Sequence, residues 1–176
     1  LELNRQYISQ GRYGAKVDVK AESEPRNRVG VKIEIEEGEV SKISNINIIG
    51  NNSFLDEELL KGFELSVGGW LSFFKNDDRY SREKLKGDME TLTSFYKDRG
   101  YVEFELDSSQ VSIYYDKKSV FITLNITEGN TFIVNDIDIA GDLPIDEAIL
   151  NQLVLIQKGE IFSQILITET EELFTN

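Results

Sequence analysis

A pattern that returns after about ninety residues constrains this chain more than any other feature of its sequence. Glu37-Gly38 is followed by Ile46-Asn47-Ile48 and Gly50, and Glu128-Gly129 is followed by Ile137-Asp138-Ile139 and Gly141. Both glycine spacings are 12, and the copies stand 91 positions apart (129 − 38). Glu57-Glu58-Leu59-Leu60 returns as Glu147-Ala148-Ile149-Leu150. Tyr7 with Gly11-Arg12-Tyr13 returns as Tyr96 with Arg99-Gly100-Tyr101. Different signals recurring in one order at one spacing mark a repeated structural unit, because chance similarity between amphipathic segments would reproduce only one of them. The chain has 176 residues, and the pattern is out of phase with both ends. A complete repeat is expected at 40–129, the closing half of another at 1–39, and the opening half of a third at 130–176.

The periodicities define what one repeat contains. Residues 43–49 alternate enough for a short strand, ended by Gly50-Asn51. Ser53 and Asp56 have the spacing of a helix N-cap, followed by Leu55, Leu59, Leu60 and Phe63 at helical intervals. Leu85, Met89, Leu92 and Tyr96 form one apolar stripe on a second helix, with Lys84, Lys86, Asp88 and Glu90 on its remaining faces and Gly100 beyond its last turn. The period then falls to two. Val102, Phe104 and Leu106 alternate with charged residues, and Val111 and Ile113 continue the extension. After Asp116-Lys117-Lys118, Val120, Ile122, Leu124 and Ile126 alternate again, as a hairpin with one buried face does. The fold class is α+β: tandem β-α-α-β-β repeats, each a three-stranded mixed sheet covered on one face by two helices.

The flanking segments carry parts of the same plan. Leu3 and Tyr7 read as a helix tail. Ala15, Val17 and Val19 read as a strand, Pro25-Arg26-Asn27-Arg28 as a turn, and Val29, Val31, Ile33 and Ile35 as a second strand. At the other end, 133–139 reads as a strand, 144–153 as a helix with Pro144 in its first turn, and 168–174 as the start of another helix. Each half has an apolar face that it cannot bury alone. The tail of one molecule is therefore expected to complement the head of another, head to tail.

Composition narrows the function. The net charge of −13 opposes a phosphate backbone and an anionic lipid surface, so neither nucleic acid nor direct membrane insertion is expected. The chain has no cysteine and no histidine, which removes thiolate chemistry, disulfides and the commonest general base and transition-metal ligand. No signal peptide and no apolar run long enough to span a membrane is read in it. Of the acidic neighbours, Glu36-Glu37, Asp77-Asp78 and Glu171-Glu172 could be imagined as acid–base pairs or as ligands for a divalent cation. Adjacent residues do not converge on a substrate without a cleft, and a carboxylate-based hydrolase stays a remote alternative. No catalytic residue, cofactor or metal is expected, and the chain reads as a binding scaffold rather than an enzyme.

The run Leu85-Lys86-Gly87-Asp88-Met89-Glu90-Thr91-Leu92, with Tyr96, Asp98-Arg99-Gly100-Tyr101, Asp107-Ser108, Gln110-Val111-Ser112 and Asn125-Ile126-Thr127-Glu128-Gly129, resembles the POTRA repeats of the BamA family of outer-membrane assembly factors. Residues 41–129 are most similar to the third such repeat, 1–38 to the end of the second, and 130–176 to the opening of the fourth. The resemblance implies a place on the periplasmic face of the outer membrane of Gram-negative bacteria. The implied partners are a BamB-like lipoprotein, other subunits of the assembly machinery, and unfolded outer membrane proteins. It also implies that the exposed edge is the first hairpin strand, here Tyr101, Val102, Glu103, Phe104, Glu105, Leu106 and Asp107, which would receive an extended peptide by backbone pairing. Phe104 shares parity with Val102 and Leu106 and is expected in the core. Glu103 and Glu105 fit an edge protected against aggregation. Trp70, Phe73 and Phe74 lie in an aromatic-rich segment that is either a contact loop or a roof over the core. A two-partner secretion or TamA-type transporter is the alternative with the same fold.

Overall fold

The computed structural model describes residues 2–68, 78–140 and 147–175. The chain begins with helix α1 (Glu2–Ser9) and strands β1 (Lys16–Glu24) and β2 (Arg28–Glu36), followed by β3 (Lys42–Ile49) and the one-turn helix α2 (Asp56–Leu59). Helix α3 (Arg82–Lys97), strands β4 (Glu105–Ile113) and β5 (Ser119–Thr127), and helices α4 (Glu147–Leu153) and α5 (Gln164–Thr175) complete the order. β1 and β2 pair with each other, and the second sheet has the order β3-β5-β4. In that sheet the Lys42 N–H donates to the Lys118 carbonyl (2.7 Å) at one end of β3. Gly50, just past the other end, lies against the carbonyl of Ile126. β3 therefore runs parallel to β5, whereas β4 and β5 are joined as a hairpin, and the sheet is mixed as the patterning predicts.

Backbone contacts group the chain into two compact units. The first comprises 1–47, 63–88 and 109–124. Its core is built from Ile43, Ile46, Leu65, Tyr80, Leu85, Val120, Ile122 and Leu124, all buried. The alternation read in β5 is what the structure uses: Val120, Ile122 and Leu124 face inward while Phe121 is partly exposed. Asp88 departs from the expectation that placed it on an outer face of α3. It is 1% exposed and accepts the backbone N–H groups of Glu64 (2.6 Å) and Leu65 (3.1 Å). The physical reason is the loop after Gly62, where two backbone donors enter the interior and require an acceptor. Burial pushes the Asp88 carboxyl above its ordinary range, with the two N–H groups opposing that shift.

The second unit comprises 48–62, 89–108 and 125–176. Its buried apolar residues are Ile48, Leu59, Leu92, Tyr96, Phe104, Ile126, Leu150 and Ile156. The first helix of the repeat is shorter than the sequence suggests. Only Asp56–Leu59 is α-helical, and a 3-10 turn over Leu60–Gly62 follows. Leu55, expected on its apolar stripe, is 76% exposed, and it stands at the N-cap with no side-chain cap. Ser53 is not the cap, because the helix begins at Asp56, two residues later than a cap at Ser53 requires. Gly50 has φ +106°, and a Cβ there would fall 2.0 Å from the Ile126 carbonyl oxygen, so the turn after β3 admits only glycine.

The expected strand at 133–139 is reduced to a single bridge between Ile133 and Ile161. Among the described residues no neighbouring strand pairs the rest of it. The last helix starts four residues before the expected Thr168, at Gln164. The start of the helix read at Pro144 lies outside the described residues.

Candidate functional site

The sheet order makes β4 an edge. β5 is central and lies between β3 and β4, so one side of β4 faces no strand of the described chain. The half-buried positions of β4 are Leu106 and Ser108, then Val111. Their parity changes from even to odd along the strand.

The residues expected to form the edge divide into two groups. Glu105, Leu106 and Asp107 open β4. Tyr101, Val102, Glu103 and Phe104 precede it in a turn, not in the strand. Here the expectation is corrected, and the cause is local. Gly100 takes φ +92°, the Val102 N–H donates to the Gly100 carbonyl, and the Phe104 N–H donates to the Tyr101 carbonyl. Backbone donors used in a turn are not available to an incoming strand. The edge extends instead to Ile113, six residues beyond Asp107. Glu103 and Glu105 are exposed, as is Val102, and Phe104 is buried as its parity predicts. The expected contact residues Trp70, Phe73 and Phe74 lie outside the described residues.

A lock that the sequence reading did not recognise holds the approach to this edge. Glu128, 8% exposed at the end of β5, receives the Ser53 N–H (3.0 Å), the Ser53 hydroxyl (3.0 Å) and the Tyr96 hydroxyl (2.9 Å). Tyr96 is fully buried and stacks on Phe104 with ring centroids 4.4 Å apart. Phe54 meets Tyr96 and Tyr101 edge-on, and Arg99 lies 3.6 Å over the Phe95 ring. The carboxylate thus joins the β3–α2 loop, helix α3 and the end of β5. Burial alone would raise the Glu128 carboxyl, but the donors from Ser53 and Tyr96 outweigh it and hold the group below its usual range. The phenol of Tyr96 is raised by burial first and by Glu128 second.

The same pairing exists near the start of the chain. The Tyr7 hydroxyl donates to Glu37 (3.2 Å), and Arg12 donates to the Gly38 carbonyl (2.7 Å) beside it. The signal was present in the sequence: a tyrosine and a Glu-Gly both recur, at offsets of 89 (96 − 7) and 91 (128 − 37). Residues that recur together at nearly one offset are candidates for contact within each repeat.

Among the described residues the acidic neighbours are spread along the chain and are not gathered at one site, and Asp77 lies outside the described residues. Glu36 pairs with Lys16, and Asp78 is buried against the Lys42 ammonium at 2.6 Å. Glu171 and Glu172 are exposed on α5. The buried carboxylates Glu128 and Asp88 accept donors from the chain itself. Among the described residues, no group of three or more acidic side chains is placed to hold a metal ion, and no helix is long and apolar enough to cross a membrane.

Comparison with known proteins agrees with this architecture. The model of the POTRA family (surface antigen variable number repeat) matches residues 41–129. The outer membrane protein assembly factor BamA of Neisseria meningitidis serogroup B is 28% identical over 163 residues, covering 92% of this chain and 20% of that protein. BamA of Buchnera aphidicola is 29% identical over 159 residues, covering 90% of this chain and 26% of that protein. The chain therefore spans about a fifth to a quarter of these relatives' length. The crystal structure of Haemophilus influenzae BamA POTRA3-5 superposes with a TM-score of 0.60 at 20% identity, over 96% of this chain and 64% of that one. The β-α-α-β-β order, the mixed sheet with β5 at its centre and the family match over 41–129 together establish that this chain belongs to the POTRA family.

Proposed function

We propose that this chain is a periplasmic scaffold of an outer-membrane protein assembly machine, and that it binds extended segments of its partners along the edge of β4. Its boundaries would be those of the repeats: a closing half at 1–39, a whole POTRA repeat at 40–129 and an opening half at 130–176. The glycine turns at Gly38 (φ +69°) and Gly129 (φ +73°), with the family match between them, support that division. The relatives named as assembly factors support the pathway. The partners would be accessory lipoproteins of the β-propeller BamB kind and unfolded outer membrane proteins. The chain works by binding and not by catalysis.

The observation that carries this reading is the position of β4, a nine-residue strand on the rim of the sheet. Backbone groups on such a rim can pair with any extended chain, whatever its side chains, which suits a receptor for many β-rich clients. The lock between Ser53, Tyr96 and Glu128 supports the role by fixing the end of the neighbouring strand β5, so the rim is presented by a rigid sheet. Titration of the labelled chain with a peptide copied from a strand of an outer-membrane β-barrel, followed by amide NMR shifts, tests it. Shifts concentrated on Glu105–Ile113 are expected. Shifts confined to other elements, or none at saturating peptide, would overturn the reading. The same titration with a BamB-type lipoprotein tests the partner.

A further inference from the structure

The repeat offset governs a set of long-range backbone hydrogen bonds as well as the side chains. Gly11 follows α1 and Gly100 follows α3, 89 positions apart (100 − 11), and both take left-handed φ, +77° and +92°. The Gly11 carbonyl accepts the N–H of Ser41 (2.9 Å), and the Ser41 carbonyl accepts the N–H of Tyr80 (3.2 Å). The Gly100 carbonyl accepts the N–H of Phe132 (2.8 Å), and the Phe132 carbonyl accepts the N–H of Phe162 (3.0 Å). Ser41 and Phe132 stand 91 apart (132 − 41), and Tyr80 and Phe162 stand 82 apart (162 − 80), each two residues before a long helix. The flanking bonds repeat too. The Ile43 N–H donates to the Asp78 carbonyl and the Val134 N–H to the Glu160 carbonyl, each at 2.8 Å. Bridges join Lys42 with Arg79 and Ile133 with Ile161. The first set lies within the first compact unit and the second within the second.

Each set therefore runs from the end of one helix to the start of another: α1 to α3 through Gly11, and α3 to α5 through Gly100. The approach at both glycines is close. A Cβ on Gly11 would fall 2.5 Å from the Tyr80 carbonyl oxygen, and one on Gly100 would fall 2.7 Å from Cγ2 of Ile161. The second set has an additional clamp. The Asp98 carboxylate, just before Gly100, accepts the N–H of Ile165 (2.9 Å) in the first turn of α5. That N–H is among those a helix leaves without an internal partner, and a negative charge is favourable at that end.

We propose that Gly11 and Gly100 are coupling joints, each tying the end of one helix to the start of the next long helix so that the two ends move together, and that Asp98 clamps the joint at Gly100. A bare linker would let those ends move independently. Here the glycine carbonyl, the linker residue and the residue before the next helix form one series of bonds, and the absence of a Cβ lets them close. The proposal concerns the conformation of the chain and holds whatever binds β4.

The chain has no cysteine, so Ser94→Cys on α3 and Glu169→Cys on α5, both exposed, accept spin labels at defined places. Pulsed electron–electron double resonance then reads the width of the distance distribution across the joint at Gly100. Gly100→Asn retains access to left-handed φ but adds the Cβ that meets Ile161. It should broaden the distribution about twofold, as a loosened hinge does. The amides of Phe132 and Phe162 should exchange about tenfold faster. Ile161→Ala alone trims an exposed side chain and should change neither reading. Added to Gly100→Asn, it removes the atom that the new Cβ meets and should return both readings towards the parent. General loss of stability would not be relieved by trimming Ile161. Asp98→Ala should broaden the distribution less than Gly100→Asn does. Circular dichroism checks folding. A parent-like width in folded Gly100→Asn would overturn the proposal, and so would broadening that Ile161→Ala does not reduce. Should Gly100→Asn unfold, Asp98→Ala decides, and a parent-like width there would overturn the coupling.

Discussion

Strands β2 and β5 have nearly interchangeable inward faces, Val-Val-Ile-Ile on one and Val-Ile-Leu-Ile on the other, yet one lies open and the other is sealed. The difference does not lie in the strands. β5 has β3 beside it and a core of helical and loop residues around it, while among the described residues β2 pairs only with β1. The Tyr–Glu pairs show the same contrast. Glu128 is buried and takes donors from both Tyr96 and the Ser53 loop, whereas Glu37 remains more than half exposed beside Tyr7 and Arg12. The same Tyr–Glu pair is a buried lock in one place and a surface contact in the other. Hydrophobic alternation specifies a face, and burial of that face depends on what the rest of the fold packs against it.

The largest expected effect sharpens this contrast directly. Leu124→Ala removes a fully buried side chain and should cost about 3 kcal/mol, by lost transfer energy and an unfilled cavity. Its counterpart Ile33→Ala should change stability by less than about 0.5 kcal/mol, because the side chain is already half in water. Denaturant midpoints of the two variants measure the difference. Comparable losses would contradict the open face of the β1–β2 ribbon.

Next in size is the lock. Glu128→Gln keeps one acceptor but loses the charge that two hydroxyls and an N–H converge on, and should cost about 2 kcal/mol. Tyr96→Phe removes one of those donors and should cost about 1.5 kcal/mol. Tyr7→Phe, at the exposed copy of the pair, should leave the thermal midpoint unchanged. Thermal unfolding of the three variants ranks them.

The buried carboxylates Glu128 and Asp88 give opposite responses to acid, and Asp78 is a third buried carboxylate. Glu128 has a folded-state value below its unfolded one, so its contribution is present above the unfolded value and is lost as pH falls through the folded one. Asp88 is raised by burial, so its ionisation opposes folding, and stability from this group rises as pH falls through its folded value. Glu128→Gln should therefore flatten the loss of stability in the carboxylate range, and Asp88→Asn should steepen it. Urea midpoints recorded from neutral pH downward distinguish these slopes.

Much of the fold was legible because period and spacing carry it. The alternation of Val120 to Ile126, the stripe of Leu85 to Tyr96 and the turn at Pro25 to Arg28 depend on local pattern, and the structure places strands, helix and turn there. What escaped depends on long-range partners. Asp88 looks like a surface residue until the donors of Glu64 and Leu65 arrive from 24 and 23 positions away. Ser53 has the spacing of a helix cap but serves Glu128, 75 positions distant. The edge was assigned to Tyr101–Asp107 because apolar alternation begins there, while local turn bonds at Gly100 and Tyr101 delay the strand to Glu105. A strand was expected at 133–139 because its side chains suit one, but a strand also needs a neighbour.

Amide hydrogen exchange read strand by strand tests the contrast between the closed repeat and the open ribbon most directly. The amides of β5 should be protected to the level of global unfolding, while those of β1 and β2 exchange through local opening orders of magnitude faster. Equal protection of β2 and β5 would contradict the account.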